Sequence, residues 1–383
     1  MSIWMTFLLF LALGYGFILW QYVHFWDKIP KTKQITTFEA TCLAVVVVGR
    51  NEAEGIAQCI EALLAQDYPL EACEFWLVDD HSEDETLNIM QTYDHPSLRV
   101  HSLAQVPMGK FGQAYKKRAI AWVLSQTKAE LILTTDADCI PPATWLRTMV
   151  EKYQATGADC LAAPVVFSPS NSWVERFQTL DFMGMMLLTG AGLQGRFQLL
   201  CNGANFAYTR AIYEQVKGFE GLTDYASGDD LLLLKKIQNQ VPTAKFVFVK
   251  DLQAAVPTLA QPTWSSFLRQ RLRWASKSGH RPLDDWGGTW RLLWVAAFAS
   301  GLCLAPLLAY WWTALDLSLY ILAWLLKLAA DAYLLWPATA FFQRKDLRKI
   351  FFLSVFLHAF YIFSVALLSN VQKSYLWKGR RLR

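Results

Sequence analysis

The residues of this chain best suited to chemistry are carboxylates that follow short apolar runs. Asp136 and Asp138 flank a single alanine after the run 131–135. Their hard oxygens suit Mg2+ or Mn2+, and Mg2+ commonly takes one or two carboxylates together with substrate phosphates. Asp138 is also placed to cap the helix that Pro141-Pro142 opens, as Asp does in many turns. The strand before the pair and the motifs after it favour the metal reading. Asp79 and Asp80 end the run 74–78 and can accept hydrogen bonds from a base or ribose. An Asx-turn, or a cap on the helix over 83–93, accounts for them equally well. Lys110 follows Gly109 and precedes Gly112, so it can reach a phosphate as a point charge, or it can be a solvated loop lysine.

Gly228-Asp229-Asp230 stands before four leucines, 231–234. Two acids at a helix start satisfy its free N–H groups and its dipole. The sharper reading is a general base, an ionised carboxylate aimed at an acceptor hydroxyl. Gln270-Arg271-Leu272-Arg273-Trp274 lies in an amphipathic stretch over 264–277. Its basic residues can anchor to lipid headgroups. Alternatively, the Arg273 guanidinium matches a leaving diphosphate, and Trp274 offers a face on which a sugar or apolar group stacks.

The elements that position these groups alternate. Residues 43–48 form a β-branched run typical of a strand buried on both faces, and 54–65 follow with helical spacing. Strands at 74–78, 98–101 and 131–135 interleave with helices at 83–93 and 112–124. This order predicts an α/β fold, a mostly parallel sheet covered on both faces. Ligands of such sheets bind at the carboxyl ends of the strands, where the acidic clusters fall. No internal repeat or low-complexity segment interrupts the pattern.

The whole chain is 383 residues, 54% hydrophobic and only 18% charged, against about 25% charged in ordinary soluble proteins. That excludes a disordered chain and argues against a wholly soluble enzyme. Residues 1–26 carry no Lys, Arg, Asp or Glu and can span about 30 Å of hydrocarbon, which predicts an uncleaved N-terminal anchor. Apolar runs recur at 292–315, 317–342 and 350–372. The second holds Lys327 and Asp331, four apart on one helix face and expected to neutralise each other. The predicted organisation is an anchor over 1–26, a domain over 41–279, C-terminal transmembrane helices over 291–372 and a basic tail over 373–383. Residues 343–383 hold nine Lys/Arg against one Asp, leaving 27 basic against 31 acidic residues elsewhere. A basic tail beside apolar helices points to an anionic membrane surface and not to nucleic acid. Basic residues on both flanks place the domain in the cytoplasm, at an inner membrane. Three full spans after it would carry the basic tail outside, so one apolar segment is expected to be re-entrant or interfacial. Seven scattered cysteines without a C-x-x-C pair fit reduced thiols.

The ordered series Val47-Val48-Gly49-Arg50-Asn51-Glu52, Val78-Asp79-Asp80-His81-Ser82, Gly109-Lys110, Asp136-Ala137-Asp138, Gly228-Asp229-Asp230 and Gln270–Trp274 resembles membrane-bound family-2 glycosyltransferases. That group includes cellulose, chitin and hyaluronan synthases and ceramide glucosyltransferase. The resemblance implies a GT-A fold with transmembrane helices at both ends, a UDP-sugar or similar donor, a divalent metal and inversion at the anomeric carbon. It implies Asn51, Glu52, Asp79 and Asp80 lining the nucleotide pocket with Lys110 beside it. It further implies Asp138 on the metal, Asp136 at the donor and metal, Asp230 as base with Asp229 adjacent, and Gln270, Arg273 and Trp274 closing over diphosphate and acceptor. The chain departs from the pattern in two places. An Asp occupies position 229 where the family usually has Glu, and the acceptor-side segment reads Cys201-Asn202-Gly203-Ala204-Asn205. The tail Trp377-Lys378-Gly379-Arg380 is similar to the Trp-x-Gly-Arg tail of transferases acting on lipids. The expected acceptor is a membrane lipid or lipid-linked glycan. The alternatives are a processive polysaccharide synthase and a membrane protein that binds nucleotide-sugar without turnover. A transporter ranks last, because its spans would need more polar residues than Lys327 and Asp331. The sequence names no partner subunit.

Overall fold

The computed structural model describes residues 3–30, 39–109, 111–224, 228–276, 286–312, 316–371, 375–378 and 380–382. Along the chain, α1 (Ile3–Asp27) precedes β1 (Leu43–Gly49), α2 (Ile56–Leu64), β2 (Cys73–Asp79), α3 (Thr86–Gln91), β3 (Leu98–Ser102), α4 (Tyr115–Gln126), β4 (Leu131–Asp136) and α5 (Trp145–Thr156). Next come β5 (Cys160–Ala162), β6 (Val165–Phe167), α6 (Trp173–Gly195), β7 (Phe206–Thr209), α7 (Arg210–Gln215), α8 (Asp229–Gln240), β8 (Phe246–Phe248) and β9 (Val256–Thr258). The remaining elements are α9 (Trp264–Ser276), α10 (Trp286–Trp312), α11 (Leu317–Phe341), α12 (Phe351–Val371), β10 (Tyr375–Trp377) and β11 (Arg380–Leu382).

The chain folds as two units. One gathers Ile29–Ser168, Leu199–Leu259 and Leu376–Arg383; the other gathers Met1–Lys28, Pro169–Gln198 and Ala260–Tyr375. The boundaries read from the sequence follow the chain in order, whereas these units interleave it. Helices α6 and α9, inside the expected 41–279 block, group with the apolar helices, and the tail groups with the sheet.

The sheet unit is built on seven strands in the order β3-β2-β1-β4-β7-β5-β8. Strand β1 is parallel to β2 and β4, β2 is parallel to β3, and β7 runs antiparallel to β4 and β5. Residues 43–47 of β1 are all buried, as a β-branched central strand covered on both faces requires. Register fixes the working edge. Gly49 lies opposite Asp79, Asp79 opposite Ser102, and Val48 opposite Asp136, so the carboxyl ends of four parallel strands finish together.

In the helical unit α1 packs on α6, α10 and α11, while α12 packs on α9 and α10. Gly14 lets α1 meet Trp294, whose ring lies 2.3 Å from where a Cβ would stand and whose indole N–H donates to the Leu11 carbonyl at 2.9 Å. The expected Lys327–Asp331 pair forms at 2.6 Å and both residues are buried. It belongs to a larger network. Tyr15 donates to Asp331, Lys327 lies 3.3 Å from His358, and His358 lies 3.8 Å from Asp181. Asp181 in turn pairs with Arg271 at 2.8 Å and accepts from Tyr361 at 3.2 Å.

Among the described residues, three helical stretches are long and apolar enough to cross a membrane: Trp4–Asp27, Leu317–Phe341 and Lys345–Ser369. The expected span at 292–315 falls mostly in α10, whose qualifying apolar stretch, Trp290–Pro306, is shorter; residues 313–315 lie outside the described residues. Pro306 stands inside this helix, where it removes one backbone hydrogen bond.

Candidate active site

The loops after β1 and β2 are locked to one another. Arg50 is 5% exposed; its guanidinium donates to the Asp80 carbonyl at 3.1 Å, to the His81 carbonyl and to Glu83 at 2.7 Å. Asn51 adopts φ 50°, a left-handed conformation that Asn tolerates. Its amide oxygen accepts from Glu83 N at 2.9 Å while its own N–H donates to Ser82 Oγ at 3.0 Å. Asn51 therefore lies at the strand ends but spends its side chain on the neighbouring loop. Asp79 accepts from Ser82 N at 3.3 Å, the Asx-type turn its spacing allowed. Asp80 is 2% exposed, 3.0 Å from His81 Nδ1, and both its oxygens accept from Arg380. Glu52 pairs with Lys378. Burial pushes the Glu52 carboxyl up, Lys378 pulls it down, and Asp138 and Asp136 push it up again. Lys110 lies outside the described residues.

A second set gathers at the end of β4 and the start of α8. Gly228 enters the helix at φ 80°, a conformation glycine takes without strain, and it aims both following acids. Lys116, on the first turn of α4, lies 2.6 Å from Asp136 and 3.5 Å from Asp229. Burial works against its charge, but Asp136, Asp229 and Asp230 outweigh it and raise its pKa, so Lys116 stays protonated. Asp230 accepts from Gly203 N at 2.8 Å and from Leu231 N at 2.7 Å. A Cβ on Gly203 would stand 3.4 Å from the carboxylates of both Asp229 and Asp230. The acceptor-side segment is thus tied to the acids at Gly203, whereas Asn205 is fully buried and holds the Pro164 and Ala254 carbonyls at 2.7 Å each. Lys116 escaped sequence reading because one lysine on a helix carries no local pattern.

Asp138 accepts from Thr258 at 3.4 Å. Burial raises its pKa, the neighbouring Asp136 raises it further and Lys378 offsets part of the rise. Among the described residues no three His, Cys, Asp or Glu side chains stand close enough to hold a metal by themselves. The hard carboxylate oxygens of Asp136 and Asp138, separated by one residue at the end of β4, nevertheless fit a divalent cation completed by substrate phosphates.

Gln270, Arg273 and Trp274 lie on α9, in the helical unit. Gln270 presents a buried Oε1 with no hydrogen-bond partner among the described residues. The Arg271 guanidinium stacks 4.4 Å from the Trp274 ring while paired with Asp181, and the Trp274 ring lies 5.9 Å from Phe182. Arg271, two residues before Arg273, ties this segment to Asp181.

The family model described as "Glycosyl transferase family 2" matches residues 44–216, and that described as "Glycosyl transferase family group 2" matches residues 131–366. The chain is 28% identical over 253 residues to a beta-monoglucosyldiacylglycerol synthase of Synechocystis sp., covering 64% of this chain and 49% of that protein. It is 28% identical over 149 residues to glycosyltransferase AglE of Haloferax volcanii, covering 37% and 46%. The chain thus spans about half the length of the curated relatives it matches. Among solved structures, the mannosyltransferase PcManGT from Pyrobaculum calidifontis, in complex with GDP-Man and Mn2+, superposes with a TM-score of 0.60 at 19% identity, covering 96% of this chain and 99% of that one. With a family model over more than half its length and a sheet that ends its parallel strands in carboxylates, the chain belongs to glycosyltransferase family 2 and has the GT-A fold.

Proposed function

We propose that this protein is a membrane-bound inverting glycosyltransferase that moves a sugar from a nucleotide-sugar to a membrane-lipid acceptor. The observation that carries the reading is the linked cluster of Asp136, Lys116, Asp229 and Asp230 at the carboxyl end of β4 and the N-terminus of α8. Asp230 is the base: two backbone N–H groups orient its carboxylate for the acceptor hydroxyl proton. Lys116 keeps Asp136 and Asp229 from repelling each other. Glu52, Asp79 and Asp80 belong to the nucleotide side of the crevice and Asp229 to the acceptor side, with Lys110 beside the phosphates. Asp136 and Asp138 would hold Mg2+ or Mn2+, which would stabilise charge on the departing diphosphate. Gln270, Arg273 and Trp274 are assigned to the diphosphate and acceptor. Charge stabilisation at the leaving group supplies most of the rate in such a displacement. The lipid acceptor is supported by relatives named as glucosyldiacylglycerol synthases and by the apolar helices. In this reading the sheet unit is cytosolic, at an inner membrane.

The test is product partitioning. Membranes holding the protein receive radiolabelled UDP- and GDP-sugars with Mn2+ or Mg2+, with Asp230→Asn as blank, and are then extracted with organic solvent. Label in the organic phase is expected. Label in an insoluble high-mass fraction would replace this reading with a polymer synthase, and nucleotide binding without any transfer would reduce it to a binding protein.

A further inference from the structure

Residues 376–383 of the basic tail group with the sheet unit. Lys378 and Arg380 grip the loops after β1 and β2 at named atoms. Arg380 Nη1 donates to both carboxylate oxygens of Asp80, at 2.9 and 2.8 Å, and Nη2 donates to the Asp80 carbonyl at 3.2 Å. The same guanidinium lies 4.0 Å from the centre of the Tyr115 ring. Two residues earlier, Lys378 donates to the Arg50 carbonyl at 2.6 Å and the Asn51 carbonyl at 3.3 Å, and pairs with Glu52. The Lys378 carbonyl accepts from Arg50 Nε at 3.2 Å, which closes the contact from the other side.

We propose that Arg380 and Lys378 are positioning residues of the donor pocket, holding Asp80 and Glu52 where these meet the nucleotide. The inference rests on the nucleotide-sugar reading above and adds to it a wall built from a segment 300 residues away. Three considerations support it. A carboxylate with 3% of its side chain exposed is costly unless paired and hydrogen-bonded, and Arg380 supplies both services to Asp80. A tail serving only as a membrane anchor would keep its cations in water or headgroups; the Arg380 and Lys378 side chains are 17% and 25% exposed and engaged with specific acceptors. The gripped atoms also sit at the carboxyl ends of adjacent parallel strands, where α/β sheets take their ligands.

The side-chain types carry a further expectation. A planar guanidinium bonds a carboxylate with two oxygens while stacking on a ring, and an ammonium cannot do both. Arg380→Lys should therefore recover only part of what Arg380→Ala loses.

The test uses the full chain in detergent with Mn2+. Binding of UDP and of GDP is measured alongside donor KM, kcat and the thermal midpoint. Arg380→Ala is expected to weaken nucleotide binding and raise donor KM by about tenfold or more, the scale of a charge-assisted hydrogen bond, with kcat changed much less. Lys378→Ala should follow in the same direction, and Arg380→Lys should fall between parent and Arg380→Ala. Unchanged binding and KM in these variants would overturn the proposal and leave the tail a packing element. Tighter binding or faster turnover would overturn it in favour of a strap that blocks the pocket. If Arg380→Ala fails to fold, Arg380→Lys decides: a parental midpoint with weakened binding supports the proposal, and parental binding refutes it. A folded parent that binds neither nucleotide would instead defeat the donor-pocket reading, and the proposal with it.

Discussion

Two groups of acids in this chain live under opposite conditions. Asp181 and Asp331, in the helical unit, have side chains 6% and 8% exposed, and each faces its own cation, Arg271 at 2.8 Å and Lys327 at 2.6 Å. Asp136 and Asp229, in the sheet unit, share a single lysine at 2.6 and 3.5 Å, and the Asp136 side chain is 41% exposed. Asp138 beside them is pushed towards its neutral form by burial and by Asp136. The first group is balanced within itself, which is what burial in a low-dielectric bundle demands. Among the described residues the second group has fewer close cations than acids and is half open, the condition under which a site accepts a cation or proton from outside. The lesson is that acid count does not mark a functional site; the ratio of acids to committed cations does.

The comparison can be broken most sharply at Asp230. Asp230→Asn should lower transfer by about 10²–10⁴-fold, the usual worth of a general base, while nucleotide binding holds. Asp331→Asn should not reproduce that separation of turnover from binding; if it does, the distinction between the two groups fails. Next in size is the helical pair. Arg271→Met leaves a buried carboxylate without its main partner and should cost about 3–5 kcal/mol of stability. Arg271→Met combined with Asp181→Leu should regain most of that loss, as thermal unfolding in detergent would show. Chelation separates the groups again. EDTA should abolish transfer and Mn2+ restore it in the parent, whereas Asp138→Ala should leave donor binding indifferent to Mn2+. An unaltered Mn2+ response in Asp138→Ala would remove that residue from the cation site.

The smallest effect concerns a titratable ring outside both groups. His101 lies between Trp76 and Trp122, with ring centres 5.5 and 4.6 Å away. Burial, then Arg99, holds its imidazole below the ordinary value of 6.5. The folded state therefore resists the proton that the unfolded chain accepts. Its contribution to stability is kept above pH 6.5 and lost as the pH falls from there through the folded value. His101→Phe should flatten the decline in stability between pH 7.5 and 5 relative to the parent.

Much of the sheet unit was legible because its cues are local. The runs before Gly49, Asp79 and Asp136 became β1, β2 and β4, and parallel register brought their ends together. The turn at Asp79 and the helix start at Asp229 were legible for the same reason. Lys116, Arg50 and Arg271 were not, since each is defined by a partner far along the chain: Asp229 for Lys116, the β2 loop for Arg50, Asp181 for Arg271. The tail illustrates the same limit. Residues 376–383 group with the strands, which their basic composition gave no means of foreseeing. Helices α11 and α12 belong to stretches long and apolar enough to cross a membrane, whereas the apolar stretch of α10, Trp290–Pro306, is shorter.

Because the partner of Asp80 is Arg380, the order of synthesis matters. A ribosome adding about 5–20 residues per second reaches position 380 roughly 15–60 s after position 80. The sheet can form during that interval, yet the buried carboxylate at its edge lacks its counter-charge until α10, α11 and α12 have all been made. On the donor-pocket proposal, a nascent chain stalled in those helices would present a folded core with an unfinished crevice, so the capacity to hold nucleotide would report that the apolar helices are complete.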